Sequence, residues 1–196
     1  MNSFYNDGEL AELRFNHVGN NVYLSKKSSI YGSSKMIIGN NVRIDDFCIL
    51  SGNIIIGDNV HIAAGTYLYG GDAGIIISDF ANISSRNAIY AVSDDYSGAT
   101  MSNPMIPDEY KNVFERQVII GKHVIIGSGC TILPGVTIPE GVALGAMSLV
   151  KSDLEEWFIY AGVPAKKIKK RSKELLLLEN QFISKEKLDG KYNVNL

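Results

Sequence analysis

Several things are scarce in this chain of 196 residues. Cysteine occurs twice, histidine three times and tryptophan once. Two cysteines cannot build the disulfide framework of a small secreted domain. Three scattered histidines, His17, His61 and His123, speak against a histidine-held zinc, so no metal is expected. Excess charge is missing too: the net value is −2, which gives no electrostatic reason to expect a nucleic acid partner. No apolar run approaches the roughly 20 residues that span a bilayer. The opening MNSFYNDGELAELRF has neither a basic n-region nor an apolar h-region. The expectation is a cytoplasmic protein with no membrane span, its length giving one domain and a modest appendage.

What is abundant is regularity. From Gln117 to Val150, aliphatic residues recur every sixth position: Ile120, Ile126, Ile132, Ile138, Leu144 and Val150. Four residues after each come small or branched side chains, Val124, Cys130, Val136, Val142 and Ser148. A helix needs apolar spacings of three and four, and a lone strand alternates every two. A period of six means very short strands, each followed by a bend, wound around one axis. That is a parallel β-helix of hexapeptides. Cys48 and Cys130 both fall on the small inward position and read as packing residues in a reducing compartment.

The same phase runs back through Ile38, Ile44, Leu50, Ile56, Ile62 and Leu68, then shifts to Ile77, Ile83 and Ile89. A Gly-x-x-Val-x-Ile/Leu element recurs as GNNVYL at 19, GNNVRI at 39, GDNVHI at 57 and GKHVII at 121, with degenerate copies at 78 and 139. Copies 18 residues apart make one turn a triangle of three hexads, and about five to six turns are expected. Two spacings exceed the period. YGGDAG carries three extra residues, and about 25 more fall in 92–116. A segment that long in a compact domain is usually functional or disordered. Its Tyr96, Tyr110 and Phe114 favour an ordered projecting loop that walls a site.

The boundaries follow. Residues 1–18 form an N-terminal segment with a helix over 6–14, capped by Asp7. Residues 19–160 form the coil, with Trp157 to Tyr160 as an apolar patch covering its end. Residues 161–196 hold a lysine-bearing loop at 161–170, a helix from Ser172 to about Lys187, and a loose NVNL tail.

The ending GVTIPEGVALGAMSLV followed by IYAGVPAKKI resembles the hexapeptide-repeat acyltransferases, in particular the galactoside and maltose acetyltransferases and enzymes that modify bacterial surface sugars. The resemblance covers residues 19–170. It implies an all-β fold, a left-handed parallel β-helix with a projecting loop and a C-terminal α-helix. It also implies a homotrimer with acetyl-CoA as donor and substrates lying between subunits. The family's basic histidine sits in a His-Pro motif at the base of the loop. An ungapped match of ISDFANISSRNAIYAVSDD puts Asp94 and Asp95 there instead. SDDYSG followed by NP resembles a branch acting on nucleotide-linked amino sugars such as dTDP-4-amino-4,6-dideoxyglucose, for surface polysaccharide (O-antigen) synthesis. The expected reaction is direct N-acylation. The alternatives are O-acetylation of a sugar or polysaccharide, and a coil that binds without catalysis.

The expected catalytic residues are Asp94, Asp95 and Ser84, with Ser84 placed to hydrogen-bond the acceptor. Asp72, His61 and Tyr96 are expected at the acceptor. For the donor, the small residues Gly145 and Ala146 leave room for a pantetheine arm, beside Gly127, Ser128 and Pro164. Backbone N–H groups near Gly127, Ser128 and Ala146 are expected to face the oxyanion. Lys166 and Lys167, in the densest basic cluster, are expected at the phosphates of coenzyme A.

Overall fold

The structure, a computed structural model, describes residues 3–188; the NVNL tail lies outside them. The chain winds around a triangular core. Each turn places one short strand on each of three faces, and strands of successive turns pair in parallel. On the second face the ladder runs Tyr23–Leu24, Arg43–Ile44, His61–Ile62, Asn82–Ile83, Ile125–Ile126, Ala143–Leu144 and Phe158–Ala161. That is seven parallel rungs, more than the five to six expected, because the last, Phe158–Ala161, lacks the repeat's signature. The first and third faces merge into one ten-stranded sheet, since Ile49–Ile56 and Tyr67–Ile77 run unbroken through the corner between them.

The six-residue period is the spacing of inward side chains. All of Ile38, Ile44, Leu50, Ile62, Ile83, Ile126, Ile132 and Ile138 are fully buried, and Cys48, Val124, Cys130 and Val136 fill the positions between. Each buried isoleucine contributes about 1.5–3 kcal/mol relative to its exposed state. Burial pushes both thiols up from their ordinary value, which keeps them as unreactive packing groups.

The corners need left-handed backbone. At the first corner, between the first and second faces, Asn21, Asn41, Asn59, Phe80, His123, Gly141 and Trp157 succeed one another with φ between 55° and 72°. Asparagine tolerates this region, and its amides form a ladder: Asn21 Nδ2 donates to Asn41 Oδ1 at 2.8 Å, and Asn41 Nδ2 to Asn59 Oδ1 at 3.2 Å. Higher up the column turns aromatic, with Phe80 and His123 stacked 5.2 Å apart. At the second corner, between the second and third faces, Phe47, Gly65, Arg86, Gly129 and Met147 hold the left-handed position. The third corner takes the insertions.

Several boundaries move. The N-terminal helix α1 (Asp7–Glu12) is capped by Asn6, not Asp7, in a reciprocal box with Glu9. Residues Phe158–Ala161 form the last rung, not a cover over the coil. Lys166–Lys170, read as loop, is a strand folded back antiparallel against that rung. The C-terminal helix α2 (Leu175–Leu188) starts three residues later than expected. Arg171 pins the approach to it, its Nη1 donating to the carbonyls of His123 at 2.7 Å and Gly141 at 3.0 Å. Glu179 then accepts from Lys122 at 2.5 Å and His123 at 2.8 Å. His123 is buried and ties α2 to the coil. No helix among the described residues is long and apolar enough to cross a membrane.

Candidate functional site

The second corner gathers Ser84, Gly127, Ser128, Gly145 and Ala146 from among the residues singled out in the sequence. The rung bonds fix its vertical order: Asp45 N–H donates to Ile62 O, Ala63 to Ile83 O, Ser84 to Ile126 O, Gly127 to Leu144 O and Gly145 to Tyr160 O, at 2.7–2.9 Å. Asp45, Ala63, Ser84, Gly127 and Gly145 therefore stack in one column. Beside it run Ser85, Ser128 and Ala146, with the Ser85 and Ser128 hydroxyls 3.3 Å apart. Ser84 is half-buried, and its hydroxyl makes no hydrogen bond among the described residues, although its carbonyl accepts from Thr66 Oγ1 and Asn87 Nδ2.

The glycines of this column serve the coil. A Cβ on Gly127 would stand 2.5 Å from the backbone nitrogen of Ala146, and one on Gly145 would stand 2.9 Å from the Ala161 Cβ. The space a side chain would need is filled by the next rung, so room for a pantetheine arm does not explain them. The Gly127 N–H is likewise occupied by Leu144 O. That leaves the N–H groups of Ser128 and Ala146, which carry no hydrogen bond among the described residues, for an oxyanion.

One rung below Ser84, on the second face, lies His61. Its Nε2 is 2.9 Å from Asp45 Oδ2 and its Nδ1 is 3.3 Å from Asn82 Oδ1. Asp45 also accepts from Arg43 Nε at 2.7 Å. Desolvation, the largest single influence on Asp45, raises its pKa, but the bonds from His61 and Arg43 together outweigh it and hold the carboxyl below its ordinary value. His61 is thus held by neighbours, not simply solvated. Asp45 and Asn82 are not among the residues that the sequence marks for the site. Alternation was the available signal, since Asn82 points outward two residues before Ser84.

The projecting loop springs from the third corner as a hairpin, Val92–Ser93 pairing antiparallel with Phe114–Glu115. The two acids at its base divide the work. Asp95 accepts from Ser97 N–H at 2.8 Å, Thr100 N–H at 3.1 Å and Thr100 Oγ1 at 3.0 Å. The Ser97 contact, followed by Thr100, lowers its pKa to about 2. Such a carboxylate staples the loop and is a poor proton acceptor. Asp94 is exposed, and its carboxylate has no hydrogen bond or ion pair among the described residues. Tyr96 is 93% exposed on the same loop.

The remaining residues lie apart. Asp72, at the third corner, is exposed and paired with Lys35 at 2.7 Å, which lowers its carboxyl pKa. Pro164 and Lys166 are exposed on the terminal segment. Lys167 pairs with Glu155 and stands 4.1 Å over the Phe158 ring. Between Ser84 and Asp94 runs the strand Ala88–Tyr90, roughly 10 Å at 3.3 Å per residue. The described residues include no group of three or more His, Cys, Asp or Glu placed to hold a metal.

Comparison with known proteins adds the following. The family profile "Bacterial transferase hexapeptide (six repeats)" matches residues 35–70, and "Hexapeptide repeat of succinyl-transferase" matches residues 117–147. A dTDP-4-amino-4,6-dideoxy-D-glucose acyltransferase of Escherichia coli is 49% identical over 92% of this chain and 95% of its own. AntD, an N-acyltransferase from Bacillus cereus, superposes with a TM-score of 0.93 at 56% identity, covering 95% of this chain and all of that one, in a complex with dTDP and 3-hydroxybutyryl-CoA. Its S84A variant, solved with dTDP-4-amino-4,6-dideoxyglucose and coenzyme A, superposes with a TM-score of 0.92 at 56% identity over 94% of this chain and all of that one.

Proposed function

The chain belongs to the hexapeptide-repeat acyltransferases of dTDP-linked amino sugars, and from that premise we propose that it moves an acyl group from a coenzyme A thioester to the amino nitrogen of dTDP-4-amino-4,6-dideoxyglucose or a sugar of the same class. The observation that carries this is the 49% identity to the E. coli acyltransferase along nearly the whole of both chains. The amine attacks the thioester carbonyl, the C–S bond breaks, and the proton of the new ammonium leaves with or ahead of the thiolate. The transfer is direct, amine to thioester, and neither cysteine, both buried in the core, serves as an acyl carrier.

Within that reaction Asp94 orients the amine and relays its proton, and Ser84 hydrogen-bonds the acceptor. Asp95 keeps the loop in shape. The S84A variant of AntD and its D94A variant, bound to dTDP and coenzyme A, carry position numbers at which this chain also has serine and aspartate. A strand of roughly 10 Å separates these two groups within one chain, so a site using both takes the loop from a neighbouring copy. That favours a homotrimer, working in the cytoplasm in O-antigen synthesis. Assaying nucleotide-linked amino sugars and neutral sugars with acetyl-CoA and 3-hydroxybutyryl-CoA, on protein of sedimented mass, tests the whole reading. An amide product from a trimer is expected. Ester formation on neutral sugars, with amino sugars ignored, would make this an O-acetyltransferase.

The donor's phosphates fall to Lys166. Its ammonium makes no ion pair among the described residues, whereas that of Lys167 is committed to Glu155. Lys166→Ala is expected to raise the KM for acyl-CoA about tenfold, or about 1.4 kcal/mol, with the acceptor KM unmoved; Lys167→Ala should do less. Equal and negligible effects would leave both lysines as edge-blunting charge on the terminal strand.

A further inference from the structure

Two side chains at the second corner serve neither the core nor the chemistry above. Phe47, Gly65 and Arg86 hold the left-handed position of successive rungs, at φ 62°, 70° and 60°. Glycine adopts that conformation freely. A bulky side chain there is unusual and persists because its surroundings enforce it. Phe47 is nevertheless 63% exposed. Between the two, Gly65 leaves a gap: a Cβ there would meet nothing but Arg86 Cγ, at 3.5 Å.

Charge distinguishes this corner further. Asp45 is paired with Arg43 and hydrogen-bonded to His61. Asp46 accepts from Lys27 at 2.7 Å and from Ser25 at 2.5 Å, and Lys26 pairs with Glu9. Arg86 is exposed and has no hydrogen bond or ion pair from its guanidinium among the described residues. It follows Ser84 by two residues, in the same turn. Phe47 lies two rungs away, roughly 10 Å at about 4.8 Å per rung, on the side opposite Gly145 and the lysine strand.

We infer that Arg86 binds the diphosphate of the nucleotide-linked acceptor, and that Phe47 is the wall against which the base stacks. Guanidinium forks suit paired phosphate oxygens; the Phe47 ring carries the Lys27 ammonium over one face, 5.5 Å from its centroid, and offers the other face to a base. The coil also assigns direction. On the reading given above the donor residues lie above Ser84, whereas Arg86 is level with it and Phe47 lies below, so the diphosphate is the acceptor's and not that of coenzyme A. The inference rests on the acceptor reading given above and adds what would make the enzyme require a nucleotide carrier.

Calorimetric titration of the intact protein with dTDP, thymidine and coenzyme A as separate probes tests it. Arg86→Ala should weaken dTDP binding about 10–100-fold, leaving thymidine and coenzyme A unaffected. Arg86→Lys should fall between, since an ammonium cannot bind two oxygens as a fork. Phe47→Leu should weaken thymidine and dTDP alike. In turnover, Arg86→Ala should raise the KM for the nucleotide sugar with kcat nearly unchanged. Wild-type affinity for dTDP in Arg86→Ala, or a loss confined to coenzyme A, would overturn the assignment. Dissociation of the assembly by Phe47→Leu would overturn the stacking role and give the ring to a subunit contact. Wild-type protein that binds coenzyme A but neither binds dTDP nor acylates its amino sugars would instead remove the premise.

Discussion

Asp94→Asn is expected to lower kcat about a hundredfold at neutral pH and to regain much of that loss as the pH rises. The size is the low end of what a positioned proton acceptor contributes, about 10²–10⁴. It is the low end because the carboxylate has only to orient the amine and relay its proton, not to hold it. The sign follows from the nucleophile. If the sugar amine titrates like an α-amino group, near 8, its neutral fraction grows from roughly a tenth at pH 7 to nine-tenths at pH 9. The variant that cannot relay the proton gains most from that change. Asp95 should behave differently. Its three hydrogen bonds keep it ionised to about pH 2, so Asp95→Asn disturbs the loop's shape and leaves the pH dependence alone. A kcat–pH profile for both variants decides between them. Equal impairment of Asp94→Asn from pH 6.5 to 9.5 would show that its carboxylate does not act through the proton.

The second large effect is on stability. Gly127→Ala should destabilise the protein by about 1–3 kcal/mol, the usual cost of forcing an extra methyl into packed surroundings. Here the obstacle is backbone: the methyl would meet Ala146 N at 2.5 Å and its Cα at 2.8 Å. Neither rung can easily yield, because Gly127 N–H and Leu144 O hold them together at 2.7 Å. Ser128→Ala, exposed at the next position, is the control and should leave stability unchanged. Urea unfolding of the two variants is the measurement. Unchanged stability of Gly127→Ala with a tenfold rise in the KM for acyl-CoA would return this glycine to the donor site.

What the sequence made legible was the inward half of the coil. Ile62 or Cys130 faces a requirement set by size and hydrophobicity alone, and these recur every six residues because the turn does. The long loop was legible as a break in phase, and the Asp94 and Asp95 pair as the place where the histidine motif is missing. What separates those two acids was not legible. It depends on Ser97 and Thr100 folding back onto one carboxylate, which no spacing rule states. The glycines misled for a related reason. Gly127 is small on account of the next rung, and sequence cannot tell a gap filled by the protein from one left for a ligand. Lys166–Lys170 hid as a strand because all five residues are exposed, so no inward residue betrays the pairing. Arg86 and Phe47 stood out even less, for a corner position accepts many side chains when its backbone is held from both sides.

The stacked column through Asp45, Ala63, Ser84, Gly127 and Gly145 is also a measuring rod. Neighbouring rungs stand about 4.8 Å apart, so height along the axis comes only in whole steps. From Ser84 to the last rung at Ala161 there are three steps, roughly 14 Å, and the lysine strand is paired to that rung. A donor anchored at its phosphates and reactive at its far end has its reach gauged by that count. Adding or deleting one 18-residue turn between Ser84 and Ala161 would keep every face, corner and inward side chain in phase. It would still shift the anchor by a full step against the acceptor, so a perfectly folded coil would hold its thioester at the wrong height.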